Sequence, residues 1–523
     1  MKEGIKTSKF SLASVEEKLD FFSSNITISL LIICVIAFTI RLSFFHQDIP
    51  LIFDALLYFW YANDLSILQE FPTGHAVANN GWPTFLSLFF SISNSNNFMD
   101  YMLLQRILTI CISVLTVIPI YLFCRKFFEK SYSILGAAIF ALEPRIIQNS
   151  LLGITEPLYL LLGVIALVLF LSSDKKKVYA AFGVAALCAL VRSEAIFLFI
   201  AFSILYVVRY RKEGKIVIPK YVIALGIFVL ILLPMTFVRI ETMGNDALVS
   251  RVSEITDLFF SDSEGDVINS QVLARALENL VKFLAWTSLP IFVIFVPLGS
   301  YLIFKNRKFE QTTIIVTFFV MLIPALYAYS IPALDTRYLF FLYPLYCIGS
   351  VLTVKFFRDK IKKKKNVFLV LIFASILFLS LTFLEIKKTD VEHQREALNL
   401  AYYVSNMTST IFTYEPESRY IEIVGLTQLE DFPVLKENYK GQSPKQISLY
   451  VLDYDSMEEY IEFGRKQGLT HLILDESERR PDSFRDAFYN EQKYPYLIKE
   501  FDSEDLDYKY HLKIFKIDYN KLE

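Results

Sequence analysis

The sequence predicts an α-helical polytopic membrane protein of about 11 transmembrane helices, followed by a C-terminal extracytoplasmic α/β domain. Three observations carry this reading. Of the 523 residues, 54% are hydrophobic and 15% aromatic, and the mean hydropathy is +0.43, more apolar matter than a soluble core uses. Apolar runs of membrane-spanning length recur as far as residue 386 and then stop. Charge divides at the same place: 34 Lys plus Arg against 27 Asp plus Glu up to residue 386, and 18 against 27 after it. The expected domains are therefore 1–386, in the membrane, and 387–523, outside it.

A bilayer core of roughly 30 Å takes about 20 apolar helical residues. Such stretches lie near 27–45, 103–123, 132–147, 154–172, 220–238, 286–304, 312–330, 338–354 and 367–385. The run 178–208 is too long for one straight span and is interrupted by Arg192, Ser193 and Glu194, so it reads as a tight hairpin of two short helices. With that hairpin, the Lys-rich connectors all fall on one side: the N-terminus, 125–130, 175–177, 209–220, 305–308 and 355–365. That side is cytoplasmic by the positive-inside rule, which places the N-terminus inside and the tail outside. The first span follows a long polar stretch and lacks a small-residue cleavage site, so it is expected to be retained rather than removed as a signal peptide.

The basic residues on the two sides differ in kind. Of the 25 placed inside, 20 are Lys; those placed outside before the tail are Arg41, Arg106, Arg145, Arg192, Arg239, Arg251, Arg275 and Arg337, with Lys282 as the one lysine. Guanidinium makes forked contacts with phosphate oxygens and keeps its charge when partly buried, which suits a lipid phosphate at a membrane interface. Each arginine alone is also explained by snorkelling at a helix end. The five cysteines all sit in apolar segments without metal-ligand spacing, so neither a disulfide framework nor a zinc site is indicated.

After Glu385 alternation replaces continuous hydropathy. "TIFTYE", "ISLYVLDY", "THLILDE", "YPYLIKEF" and "YKYHLKIFKI" read as strands, with helical stretches near 391–406, 456–468 and 482–489. The tail contains no Gly-rich phosphate loop, paired His ligands or nucleophile elbow, so its expected role is to cover a site or meet an acceptor. "NMT" at Asn406 is a glycosylation sequon on the outer side; "NIT" at Asn25 lies too close to the first span to count.

The large outer loop holds the first candidate. In "LIFDALLYFWYANDL", residues 51–65, Asp54 opens a helix whose aromatic and aliphatic spacing suits the membrane surface. Asp54 is expected as an N-cap, and a carboxylate held ionised by helix N–H groups is also the state a general base needs. Tyr58, one turn on, shares its face, and Asp48 is the rival base. Glu156, just before Pro157 in "GITEPLYLLL", either caps a helix or orients an acceptor. Arg192 and Glu194 sit at the turn of an apolar hairpin, where ionisable groups are functional candidates. Asp335 and Arg337 precede a span, with Arg337 placed to grip a phosphate. Trp82 either stacks on a sugar or anchors the interface. Glu143 and Arg145 read as a local pair, and His46 and His75 as interfacial residues rather than ligands.

At four places the layout resembles the GT-C superfamily of integral-membrane glycosyltransferases, specifically family 39-like enzymes akin to protein O-mannosyltransferases and aminoarabinose transferases. "RLSFFHQDIPLIFDALLY" is similar to their first span and its loop acid followed by Tyr; "ALEPRIIQNSLLGITEPLYLLL" to their third and fourth spans with an acidic turn. "LCALVRSEAIFL" and "LDTRYLFFLYP" resemble the Arg-Ser-Glu turn and the late Arg-Tyr motif, the latter adding Tyr338. The resemblance covers most of 27–386. It implies a polyprenyl-phosphate-linked sugar donor, attack by a lipid, protein or glycan acceptor, Asp54 as base, Glu156 positioning the acceptor, and Arg192 and Arg337 on the donor phosphate. It implies no nucleic acid partner.

Two departures from the pattern matter. The tail lacks the "WWDYG" of oligosaccharyltransferases, which disfavours that branch and its obligatory metal. The loop acid is followed by Ala where relatives carry a second acid, so no cofactor is required on this reading while a divalent metal stays possible. Two other classes compete: a lipid or glycolipid transporter, which would show repeats or helices broken at the midplane, and a non-catalytic assembly protein, which would tolerate loss of Asp54.

Overall fold

A computed structural model describes residues 25–73, 77, 79–93, 95, 97–244, 270–305, 308–331, 334–361, 365–388, 390–405, 411–414, 447–450, 456–476, 481–509 and 511–522. His75, Arg251 and the Asn406 sequon fall outside these residues. The chain packs as two compact units: one of 1–45, 71–85 and 105–388, the other of 46–70, 86–104 and 389–523.

The first unit is a helical bundle. Its elements are α1 (Ile26–Ser43), α4 (Phe98–Leu115, entering from the second unit), α5 (Val117–Cys124), α6 (Lys130–Ala141), α7 (Pro144–Ser150), α8 (Glu156–Phe170), α9 (Lys175–Val191), α10 (Ile196–Tyr210) and α11 (Val217–Met243). After residue 270 come α12 (Ser270–Ser288), α13 (Phe292–Lys305), α14 (Phe309–Ser330), a 3-10 segment Thr336–Leu342, α15 (Tyr343–Lys360) and α16 (Lys365–Ile386). Among the described residues seven helices are long and apolar enough to cross a membrane, or eight if the bent pair of α12 and α13 counts as one span. The chain is a multi-pass membrane protein.

The expected hairpin is present: α9 stops at Val191, Ser193–Ala195 makes one 3-10 turn, and α10 begins at Ile196. Two breaks were not expected. The third stretch splits at Glu143, whose carboxylate accepts the Arg145 backbone N–H as N-cap while Pro144 takes the first helical position. The sixth bends by 110° between α12 and α13, across Pro290.

Several of the arginines read as outward phosphate ligands have other work. Arg41 is fully buried and binds Ser113 Oγ at 2.9 Å, Ser150 Oγ at 3.1 Å, and the carbonyls of Ala37 and Ala141 at 3.0 and 3.2 Å. It thereby ties α1 to α4, α6 and α7, supplying buried backbone and hydroxyl oxygens with a donor. Arg239 is likewise fully buried, and Arg106 lies over the Phe45 ring. The phosphate reading of the whole set therefore narrows to fewer residues.

The second unit holds α2 (Asp54–Leu68), α17 (Val391–Ser405) and a five-stranded sheet of order β2-β1-β3-β5-β4, with β1 Ile411–Tyr414, β2 Ile447–Tyr450, β3 His471–Asp475, β4 Leu497–Asp502 and β5 Leu512–Ile517. β1 pairs parallel with β2 and β3, whereas β5 runs antiparallel to β3 and β4. The helices α18 (Met457–Arg465) and α19 (Asp482–Tyr489) supply Tyr460, Ile461, Phe484 and Phe488 to a core with Leu472, Leu474 and Phe515. Every strand and helix expected in the tail has its counterpart. The helix α3 (Gly81–Phe90) runs from the first unit into the second, and a short helix, Tyr519–Leu522, follows β5.

Candidate active site

The first unit brings three of the expected turns together. Glu156 is the first residue of α8, with Thr155 at the N-cap position and Pro157 next, so it sits inside the helix start rather than capping it. Its carboxylate is fully buried and ion-pairs with Arg192. The same oxygen, Oε1, lies 3.8 Å from Nη1 of Arg337. One carboxylate therefore answers guanidinium groups from two different helix breaks.

Each arginine has an orienting acid of its own. Arg192 donates through Nη2 and Nε to the two oxygens of Glu194, at 2.7 and 3.3 Å, and reaches Thr155 Oγ1 at 3.3 Å. This forked pairing fixes the guanidinium plane, which also lies 5.8 Å from the Tyr159 ring centroid. Arg337 donates through Nε to Asp335 Oδ2 at 2.6 Å, while its backbone N–H is capped by Asp335 Oδ1 at 2.9 Å. Three carboxylates thus share two guanidinium groups. Arg337 is the more open of the two, its side chain 31% exposed against 10% for Arg192.

Tyr338 follows Arg337 and packs edge-on against Tyr329, whose hydroxyl donates to the Asp335 carbonyl at 2.8 Å. The backbone N–H of Ser193 donates to Asn79 Oδ1 at 3.1 Å, which ties the Arg192 turn to the segment before α3. Thr155 and Asn79 were not singled out from sequence. Thr155 is flagged only by adjacency to Glu156, and Asn79 by nothing local.

Trp82 corrects an expectation. It is fully buried, and its indole N–H donates to the Gly153 carbonyl at 3.3 Å, where Gln105 Nε2 also donates at 2.7 Å. It holds the turn before α8 and offers no open ring face to a sugar or the interface.

The second unit carries the other candidates. Asp54 is exposed and is the first helical residue of α2; the N-cap position belongs to Phe53, at φ 51°. The expected N-cap is thus shifted by one residue. Tyr58 is 7% exposed, buried where Asp54 is open. Asp48 ion-pairs with Arg395 of α17, and that hydrogen bond holds its carboxyl below the usual range. Among the described residues no three of His, Cys, Asp and Glu converge as metal ligands.

No family model and no curated protein matches the sequence. Solved structures do. ArnT from Cupriavidus metallidurans bound to undecaprenyl phosphate superposes with TM-score 0.53 at 8% identity, over 95% of this chain and 98% of that one. The Archaeoglobus fulgidus oligosaccharyltransferase in complex with Zn and sulfate gives 0.55 at 14% identity, over 86% and 68%. The same organism's oligosaccharyltransferase AglB, in complex with an inhibitory peptide and a dolichol-phosphate, gives 0.52 at 12%, over 85% and 69%. The chain shares the fold of these membrane proteins. The ArnT match runs nearly end to end in both chains, tail included, whereas about a third of the oligosaccharyltransferase has no counterpart here.

Proposed function

We propose that the chain is a membrane glycosyltransferase that moves a sugar from a polyprenyl-phosphate-linked donor to a lipid, protein or glycan acceptor on the extracytoplasmic face. The observation that carries this reading is the buried Glu156 answered by Arg192 and Arg337 at the helix breaks of a GT-C fold. ArnT has been solved with undecaprenyl phosphate and AglB with dolichol-phosphate, and a donor of that class accounts for a site in a membrane protein. The end-to-end match to ArnT and the tail without "WWDYG" favour a family 39-like enzyme over an oligosaccharyltransferase.

In the reaction, Asp54 takes the acceptor hydroxyl proton as the acceptor oxygen attacks the anomeric carbon. The bond from that carbon to the phosphate oxygen breaks, and the lipid phosphate leaves with its electron pair. Arg337, the more open guanidinium, meets the growing phosphate charge. Arg192, gripped by Glu156 and Glu194, is held rigid, while Glu156 sets the place of both arginines and of the acceptor. Asp48, already paired with Arg395, is the poorer base. No step here requires a metal, and a divalent ion would be tested by chelation.

The test is transfer of label from radiolabelled polyprenyl-phosphate sugars into lipid, protein and glycan fractions of membranes bearing wild type or Asp54→Asn, at equal folded amounts. Loss of the proton acceptor is expected to slow transfer by about a hundredfold or more. Equal transfer by both would remove Asp54 as the base. No transfer by wild type across the donor panel would sink the enzyme reading and leave lipid transport.

A further inference from the structure

A second polar pocket lies in the first unit, bordered on one side by Thr336, the chain neighbour of Arg337. Arg145 at the start of α7, Lys282 and Trp286 on α12, and Phe383 and Lys387 at the end of α16 line a cavity of about 490 Å³ with Gln148. Among the described residues that line it, none is acidic. Glu143, two residues before Arg145, is fully buried and accepts the Arg145 backbone N–H. Three cations therefore face one space with no acid among the described residues that line it, the reverse of the acid-rich Glu156 cluster.

The pocket is also built. The Arg145 guanidinium donates to the Trp286 carbonyl at 2.7 Å and lies 5.9 Å from the Trp286 ring centroid and 4.9 Å from that of Phe383. Its Nε is buried and meets no acceptor. Gln148 donates to the Lys387 carbonyl at 2.9 Å, which fastens the end of α16 to α7. Cation–π contact and the carbonyl bond hold the guanidinium in place without neutralising it.

The surroundings define what the anion is attached to. Val281 on α12 is 66% exposed, and on α16 Phe378 and Ile386 are 68% and 73% exposed. In a multi-pass chain such surfaces face hydrocarbon. A group that satisfies both the cations and these flanks is anionic at one end and apolar at the other.

We propose that this pocket binds the phosphoryl group of a membrane lipid, with Arg145, Lys282 and Lys387 on its oxygens and the lipid's chains along the exposed apolar face of α16. The shared chemistry is a lipid-borne phosphate, from bulk anionic phospholipid or from a polyprenyl phosphate. The proposal does not rest on the glycosyltransferase reading.

Trp286 supplies the readout. Of the three tryptophans it alone is exposed, at 43%, against 4% for Trp60 and 0% for Trp82. The full chain in phosphatidylcholine nanodiscs would be titrated with phosphatidylglycerol, with undecaprenyl phosphate and with inorganic phosphate while tryptophan emission is followed. Either lipid should shift the emission, inorganic phosphate should not, and Trp286→Phe should abolish the signal. Lys282→Gln/Lys387→Gln changes only exposed side chains and should weaken binding about tenfold or more, with unchanged melting. Glu156→Gln should bind as wild type does. A response to only one lipid names the source and supports the site. Unchanged affinity in the double lysine variant overturns the site, and an equal response to inorganic phosphate overturns the lipid assignment.

Discussion

Glu156 is the residue on which most of the site's order depends. A buried carboxylate costs several kcal/mol unless paired, and here both its guanidinium partners are themselves held by other acids. Replacing it by Gln removes the Glu156 charge from Arg192, and the loss in stability should be about 3 kcal/mol, the low end for breaking a buried pair. Arg192→Met should cost a similar amount. The double variant should melt above the additive expectation, because neither leaves a buried charge facing the other's gap. Thermal melting of the four proteins in detergent checks this, and strict additivity would mean that the pair contributes no coupling. The sequence singled out Glu156 and Arg192 separately, because acids and arginines at the turns of apolar helices stand out against their surroundings, but nothing local told that the two pair. Trp82 misled for the opposite reason: an amphipathic side chain suits the interface and the core equally, and burial is decided by the turn at Gly153, far away in sequence.

At the scale of elements, the apolar runs located the helices but could not show where they bend. Hydropathy registers where a segment prefers to lie, and the breaks at Glu143 and between α12 and α13 leave that preference unchanged. The Arg192 break was legible because charged residues interrupt the run itself. Close helix packing is similarly hidden, since a glycine in a span reads as one apolar residue among many. A Cβ on Gly299 of α13 would stand 2.1 Å from the Gly349 carbonyl oxygen of α15, a backbone atom that cannot step aside. Small residues at such crossings let backbones approach where lipid offers no hydrophobic drive. Gly299→Ala is therefore expected to push α13 from α15 and to cost about 1–3 kcal/mol, seen as a lower melting temperature. Gly226 on α11 is the control, because a Cβ there meets nothing within 4 Å. Gly226→Ala should melt at or slightly above wild type. Equal melting of Gly299→Ala and wild type would show that the two helices part without cost.

For the whole molecule, seven long apolar helices among the described residues stand against the odd number of crossings that a tail opposite the N-terminus, as expected from sequence, would need. The sidedness of the Lys-rich connectors requires an odd number of crossings. The 17-residue α9 is about 26 Å long and the 15-residue α8 about 23 Å, so each falls a little short of a 30 Å core. If α8, α9, the α6–α7 pair and the bent α12–α13 pair each cross as well, the seven would become 11, the number the apolar runs suggest. On that count Asp174, before the Lys175–Lys177 connector, faces the cytoplasm with the lysines. Single cysteines at Asp174 and Asp507 in a cysteine-free background test this, using a membrane-impermeant maleimide on intact cells and then on opened ones. Asp507→Cys should label in intact cells, and Asp174→Cys only after opening. Labelling of both in intact cells would mean that an even number of helices crosses between the two positions, and the count of 11 would fall.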